Sequence, residues 1–483
     1  MAIERGALEQ VAPYPLNADG SRPKWFAEDG TWDPNKFDAG EVYVPKGETY
    51  ELASNPGSRI ESPFDLRNLR VIDPQSVLDA RDSIEEQSRN GRPSLCFIGT
   101  GGTISMVLKG DTKRPELNID ALLSYTGRDL LQRFNKASSS FPALIDSSQM
   151  KLDYDADLVI SMSYFWKSLS EQARKTFMGF IIAHGTDSMA QSATRTQMML
   201  GPNLDFSVGF VGSQQTIDEP RNDIASNVNN SIITLETLFN FDSPDRAEKN
   251  AVFFYMGGDD GSAFHPAGAR KRSDKEFKAF ESPAIPAIAG PDGIINTPFA
   301  DAYREQRHAR VDIFQPTVAR GFANSRLIEA DMDISPTRLR RDIENSSEDL
   351  AAIIMRTYGS FTFDRQQVDA IIDTAFGNRL AVFVANPFPV GRVDHNYADA
   401  QYIIQKGGIP LYMMPHAASA KLLIAEKVFG RDVESVVEFM TSNNYVGEQP
   451  DQWTPRIVEN PKVNRTLGQP RQTLPSVRLN PIP

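Results

Sequence analysis

The sequence predicts an α/β protein: a larger domain built on a mostly parallel sheet, followed by a smaller α/β domain. Three observations carry this. From Ser94 onward, short apolar runs alternate with helical stretches. The runs lack the in–out alternation of a half-solvated strand, as expected of strands buried on both faces between helices. They also fall into two series, separated by a Gly-, Pro- and charge-rich segment at about 289–325.

Taken in order, residues 1–91 read as an extended arm or small irregular extension, because eight prolines fall between Pro13 and Pro74 and periodicity is weak. One helix is expected near the end of this part, with Asp73 as N-cap and Pro74 at the first helical position. The first strand series is SLCFIGTGG, FMGFIIAHG, FSVGFVGSQ and NAVFFYMGG, within a domain spanning 92–315. The helix AQSATRTQMML follows the second of these and should stop at Gly201. The second series, RLIEADMDIS, DLAAIIMRTYG, RLAVFVANP and IPLYMMP, belongs to a domain spanning 325–452. There Ser335-Pro336 reads as N-cap plus proline, and Asp364 with Gln367 resembles a capping box. Residues 453–483 read as an extended Pro-rich tail.

Composition narrows the function classes. The chain has 483 residues, too many for one ordinary domain, with 40% apolar residues for a sizeable core. Lys and Arg total 51 against 63 Asp and Glu, and the net charge of −12 argues against nucleic acid or an anionic membrane as partner. The lone Cys96 excludes an internal disulfide and sits in a strand, where it reads as a core residue. The five histidines show no metal-ligand spacing, so neither metal nor other cofactor is expected. No signal-peptide core or membrane span is visible, so a cytoplasmic location is the expectation.

Two strand ends carry the chemistry. Leu95–Gly99 runs into Thr100-Gly101-Gly102-Thr103-Ile104-Ser105, and Ile181–Ala183 runs into His184-Gly185-Thr186-Asp187-Ser188. Ligands of open parallel sheets sit beyond the carboxyl ends of strands. The glycines let backbone amides approach a ligand closely, and the threonines and the aspartate supply hydroxyls and a carboxylate there. A dinucleotide loop needs a glycine where Ile104 stands, and a phosphate loop needs a Lys-Ser/Thr ending. A plain tight turn would explain the first segment alone, but not both.

Together TGGTIS and HGTDSM resemble the two signatures of the bacterial-type L-asparaginase/glutaminase family of threonine amidohydrolases. Asp146-Ser147-Ser148 is similar to that family's substrate-carboxylate loop, in the form of its type I branch. Gly212-Ser213-Gln214, Arg221-Asn222-Asp223 with Asn227, Arg270-Lys271-Arg272, Arg356-Thr357-Tyr358-Gly359 and the stretch Asn443–Glu448 also resemble family segments, so the similarity covers about 92–450. The resemblance implies a two-domain asparaginase-like fold and hydrolysis of the side-chain amide of L-asparagine or a related amide. It implies Thr103 as nucleophile, Thr186 as second hydroxyl, and Lys271 beside Asp187 as the deprotonating group. Gly102 and Gly185 would line the substrate, Asp187 would receive its α-ammonium, and Asp146, Ser147 and Ser148 its α-carboxylate end. A homodimer or homotetramer is implied, with a small-molecule amide as substrate. His184 reads as structural.

The chain departs from the pattern at the rim. The lid after TGGTI has no tyrosine before Tyr125, Ile224 replaces a glycine, and Ser360–Phe363 replaces a Gly-x-Gly-Asn stretch. Asp333 aligns with a residue that helps hold the substrate amine. Lys109, Lys113 and Arg114 on the lid suggest an additional anionic group on the substrate. Three other readings therefore stand beside asparagine hydrolysis: an amidase for a larger asparaginyl or glutaminyl compound, an ammonia-supplying amidotransferase subunit with a protein partner, and a non-catalytic assembly protein that kept the fold.

Overall fold

A computed structural model of the protein describes residues 66, 69–109, 112–124, 128–145, 152–240, 250–282, 285, 287–290, 327–329, 334–346, 350–387, 397–442 and 444–449. Most of the arm and all of the tail lie outside these residues, as do Tyr125, Asp333 and the substrate loop Asp146, Ser147 and Ser148.

The larger sheet has six strands: β1 (Ser94–Gly101), β4 (Asn135–Ile145), β5 (Phe177–Ala183), β6 (Ser207–Val211), β7 (Val252–Met256) and β8 (Ser262–Phe264). Their spatial order is β4-β1-β5-β6-β7-β8. All neighbours are parallel except the last pair. Every residue of β1, β5, β6 and β7 is buried, which is why these strands read as unbroken apolar runs. Strand order reverses at β1: the chain leaves β1 for β4 on one side, then returns to β5 on the other. In an open α/β sheet this reversal opens a crevice at the carboxyl ends of the two strands. A hairpin of β2 (Met106–Lys109) and β3 (Thr112–Pro115) follows β1.

The smaller sheet is parallel throughout, β11 (Leu327–Glu329), β12 (Ala352–Arg356), β13 (Ala381–Ala385) and β14 (Ile409–Leu411), in that order with no reversal. Its helices carry the expected caps. Ser335 Oγ accepts from the Arg338 amide at 3.3 Å, with Pro336 opening the helix Pro336–Ser346. The capping box at Asp364 is half formed. The Asp364 carboxylate accepts from the Gln367 amide at 3.0 Å, but the Gln367 side chain donates to the Ile334 carbonyl at 2.7 Å instead of reaching back to the cap. The amide is taken by a carbonyl just ahead of the helix Pro336–Ser346.

The helix Pro74–Gln87 begins as expected, with Asp73 Oδ1 accepting from the Gln75 amide at 3.0 Å. It buries Val77, Ala80 and Ile84 and packs on β4. The chain entering it is held by Asp157, whose Oδ2 accepts from the amides of Arg70, Val71 and Ile72 at 2.8, 2.7 and 3.2 Å. One apolar cluster runs through both domains, from Phe165, Phe177 and Phe180 to Ile354, Phe383 and Leu422. The long helix Pro415–Phe429 makes that continuity, packing on the helix Met189–Leu200 and against β12.

Candidate active site

At the ends of β1 and β5 backbone packs directly on backbone. Gly101 and Gly102 have φ of 108° and 78°, angles that only glycine adopts without strain. A Cβ on Gly102 would lie 2.2 Å from the Gly185 Cα, so the two motif glycines pack main chain on main chain. Thr100 Oγ1 donates to the Ala183 carbonyl at 2.8 Å and ties the two strand ends together. Thr103, half-buried, then opens a single turn, Thr103–Ser105, closed by the Ser105 amide on the Gly102 carbonyl at 2.9 Å. Ile104, fully buried, anchors that turn. No described residue hydrogen-bonds the Thr103 hydroxyl.

On the β5 side, His184 is fully buried, its Nδ1 lies 2.7 Å from the Gly185 carbonyl, and its ring meets Phe210 edge to face. Burial pushes its pKa down to about 4, so the ring is neutral at pH 7 and Nδ1–H donates. The ring therefore braces the loop, in keeping with a structural role. Thr186 is buried, and its methyl fills the space at Gly212, where a Cβ would come within 2.8 Å. The helix Met189–Leu200 starts just after Ser188, and its positive end lies at this loop.

Lys271 arrives from outside the parallel core. It sits on β9 (Arg270–Lys271), which pairs antiparallel with β10 (Phe280–Glu281). Its Nζ donates to Thr186 Oγ1 at 2.8 Å and to Asp187 Oδ1 at 2.7 Å. The Lys271 side chain is mostly covered while that of Asp187 is 64% exposed, so the carboxylate still faces solvent. Arg270 and Glu281 pair across the hairpin at 2.7 Å and fix its twist. Thus Gly102, Thr103, Gly185, Thr186, Asp187 and Lys271 converge on one crevice.

A supporting network lies behind it that sequence reasoning matched only as family segments. Buried Asp223 accepts from Ser213 Oγ at 2.6 Å and from the Gln214 amide at 3.1 Å. Asn227, in the first turn of the helix Ile224–Asn240 that follows Asp223, donates to Asp223 Oδ2 at 2.8 Å and to the Gly212 carbonyl at 2.9 Å. Its Oδ1 accepts from the Gly258 amide at 2.8 Å, so one side chain joins three loops. The signal available was the Asp-x-x-x-Asn spacing, which sets an acidic residue just before a helix and an amide one turn further on. At the altered rim, Phe361 and Phe363 are buried in the small domain's core, which accounts for their replacing a glycine-rich stretch.

Residues 94–297 match the family model described as "Asparaginase, N-terminal". Over that span the chain is similar to an asparaginase N-terminal domain. This agrees with the resemblance carried by TGGTIS and HGTDSM. The fold is similar to the L-asparaginase I of Vibrio cholerae O1 biovar eltor, at TM-score 0.55 and 21% identity over 74% of this chain and 99% of that one. It is likewise similar to the thermostable L-asparaginase of Thermococcus kodakarensis, at TM-score 0.53 and 20% identity over the same shares. In sequence, the chain is 27% identical over 175 residues to a glutamyl-tRNA(Gln) amidotransferase subunit of Saccharolobus solfataricus. That match spans 35% of this chain and only 36% of the relative. The protein of the same name from Thermococcus kodakarensis is 27% identical over 420 residues, 83% of this chain and 87% of that one. No helix among the described residues is long and apolar enough to cross a membrane.

Proposed function

We propose that this asparaginase-type protein hydrolyses a side-chain amide through a threonine nucleophile. The observation that carries the reading is Lys271 Nζ within hydrogen-bond reach of both Thr186 Oγ1 and Asp187 Oδ1, beside a loop that holds Thr103 in the same crevice. Thr103 Oγ attacks the amide carbon, its proton passing to the Thr186–Lys271 pair. The C–N bond then breaks, the leaving nitrogen takes a proton and departs as ammonia, and water hydrolyses the ester on Thr103. The amides behind the Gly101–Gly102 turn and the positive helix end at Ser188 suit the developing oxyanion. Asp187 offers an exposed carboxylate for a substrate ammonium, and Asp146, Ser147 and Ser148 remain the residues proposed for its carboxylate. Asparagine is the first substrate to try, with a homodimer or homotetramer as the working assembly.

A second reading is favoured by the long match to a protein named as a glutamyl-tRNA(Gln) amidotransferase subunit. In it the same chemistry supplies ammonia to a partner protein. Ammonia release from asparagine and from glutamine by the purified chain, beside a Thr103→Ala variant, tests both. The expected result is release that falls at least about a thousandfold in the variant. Release unchanged by Thr103→Ala would sink the nucleophile assignment. Glutamine strongly preferred over asparagine would favour the ammonia-supplying reading.

A further inference from the structure

The strand that bears Lys271 is too short to hold itself. β9 and β10 have two residues each, and the pair meets the large sheet through Phe280, whose ring packs on Phe254 of β7 at 4.8 Å, and through the turn that precedes it. That turn, Pro266–Gly268, is gripped from the other domain at two points. His265 Nε2 lies 3.0 Å from the Val446 carbonyl, and His416 Nε2 lies 3.2 Å from the Pro266 carbonyl. His416 belongs to the first turn of the helix Pro415–Phe429, and Ala267 packs between Met414 and Ala417 of the same segment.

The Val446 carbonyl is itself locked. Glu448 accepts from the amides of Tyr445 and Val446 at 3.2 and 2.8 Å, bending the loop back on itself. Lys421 pairs with Glu448 at 2.6 Å, and neither side chain is exposed at all. Lys421 also donates to the Met440 carbonyl at 3.2 Å, fixing the pair to the helix Val433–Ser442. Between His265 and Lys271 there is no slack. Pro266, Ala267, Gly268 and Ala269 are buried, and the space beside Gly268 is taken up by Ile285, within 2.6 Å of a would-be Cβ.

We infer that the second domain positions the catalytic lysine, His265 and His416 acting as a clasp that sets where Lys271 stands over Thr186. The catalytic consequence rests on the hydrolase reading above; the clasp itself does not. Two hydrogen bonds join the second domain to either side of this one turn, one buried at His265 and one part-buried at His416, in addition to the packing of Ala267. A displacement of about 1 Å in a positioned group is enough to cost up to a hundredfold in rate.

The test uses the full chain with His416→Phe, which keeps a ring but loses the bond, and His416→Gln, which can restore a donor. Hydrogen exchange is read at the amides of residues 267–281, within the segment 266–281, with the helix Leu152–Ser168 as internal control. Ammonia release is read alongside. Exchange in 266–281 should rise about tenfold in His416→Phe with the control unchanged, kcat should fall about tenfold with KM within about twofold, and His416→Gln should recover most of both. If His416→Phe does not fold, the paired change Lys421→Met with Glu448→Gln frees the Val446 loop without stranding a charge and is scored the same way. Unchanged exchange in 266–281, or a kcat loss that His416→Gln fails to recover, overturns the clasp. Wild-type protein that releases no ammonia would instead remove the hydrolase reading, and the exchange result would still decide the clasp.

Discussion

The two main sheets of this molecule are built from the same materials and put to different ends. Both bury apolar strands between helices, but only the larger reverses its strand order. The reversal leaves a crevice at the ends of β1 and β5, and every described candidate of the crevice except Lys271 comes from those two ends. The smaller sheet, β11 to β14, runs in simple succession and opens no such gap. Its equivalent strand end at Arg356–Gly359 leads into Phe361 and Phe363, which fill a core. Topology decides where a site can form, and the remaining sheet is left to hold parts of it in place.

The comparison can be broken most severely at Gly102. An alanine there would drive its Cβ to within 2.2 Å of the Gly185 backbone at a φ of 78°. We expect Gly102→Ala to destabilise by about 3 kcal/mol or more and to remove activity. Gly377, at the end of a small-domain helix with nothing within 4 Å of a would-be Cβ, is the matched control. Gly377→Ala should leave thermal stability unchanged or slightly raised. Equal losses in the two would refute the special closeness of the β1 and β5 ends.

A smaller effect comes from pH. His184 and His265 are pushed by burial from the ordinary imidazole value down to about 4. Each contributes stability that is present above about pH 6.5 and lost as pH falls toward 4. Asp155, fully buried beside Arg195, is pushed up to about 6, mainly by burial. Its contribution has the opposite sign, present below about pH 4 and lost as pH rises through 6. Two imidazoles against one carboxyl leave a net loss of about 3 kcal/mol between pH 6.5 and 4 from these three groups. Asp155→Asn removes the counterweight, so urea unfolding at pH 6.5 and 4.5 should show a steeper fall than in the wild type. A shallower fall would contradict the assignment. His416 of the small domain is pushed down by burial to about 4 as well, so the acid limb draws on both domains.

The mildest test is at the small domain's cap. Asp364→Ala should cost about 1 kcal/mol, read as a drop in the thermal midpoint. Because one apolar cluster spans both sheets, that drop should appear in a single transition shared by both domains. Two separate transitions, with only one shifted, would show that the sheets unfold independently.

How far these features were legible depends on how local their causes are. β1, β5, β6 and β7 announce themselves because burial on both faces forces continuous apolar runs. β4 does not. Its sequence NKASSSFPALI is rich in Ser because it is an edge strand whose Ser138 and Ser139 hydroxyls bond outward, to Asp120 and Ser76. The glycines and threonines of the crevice are readable, since a strand end that must approach another backbone admits little else. The contact of Lys271 with Thr186 is not, because 85 residues separate the two and the hairpin that joins them is too short to leave a pattern. A resemblance supplied that residue where periodicity could not. The half-formed box at Asp364 shows the same limit, since Gln367 answers to a carbonyl 33 residues away.

The contact between His265 and Val446 spans 181 residues. On a ribosome adding roughly 5–20 residues per second, the hairpin with Lys271 therefore waits some 10–40 s for its clasp to be made. During that interval the large sheet can already pair β4, β1, β5, β6 and β7. The crevice is thus assembled in two instalments, its floor first and the fastening of its lysine 181 residues later.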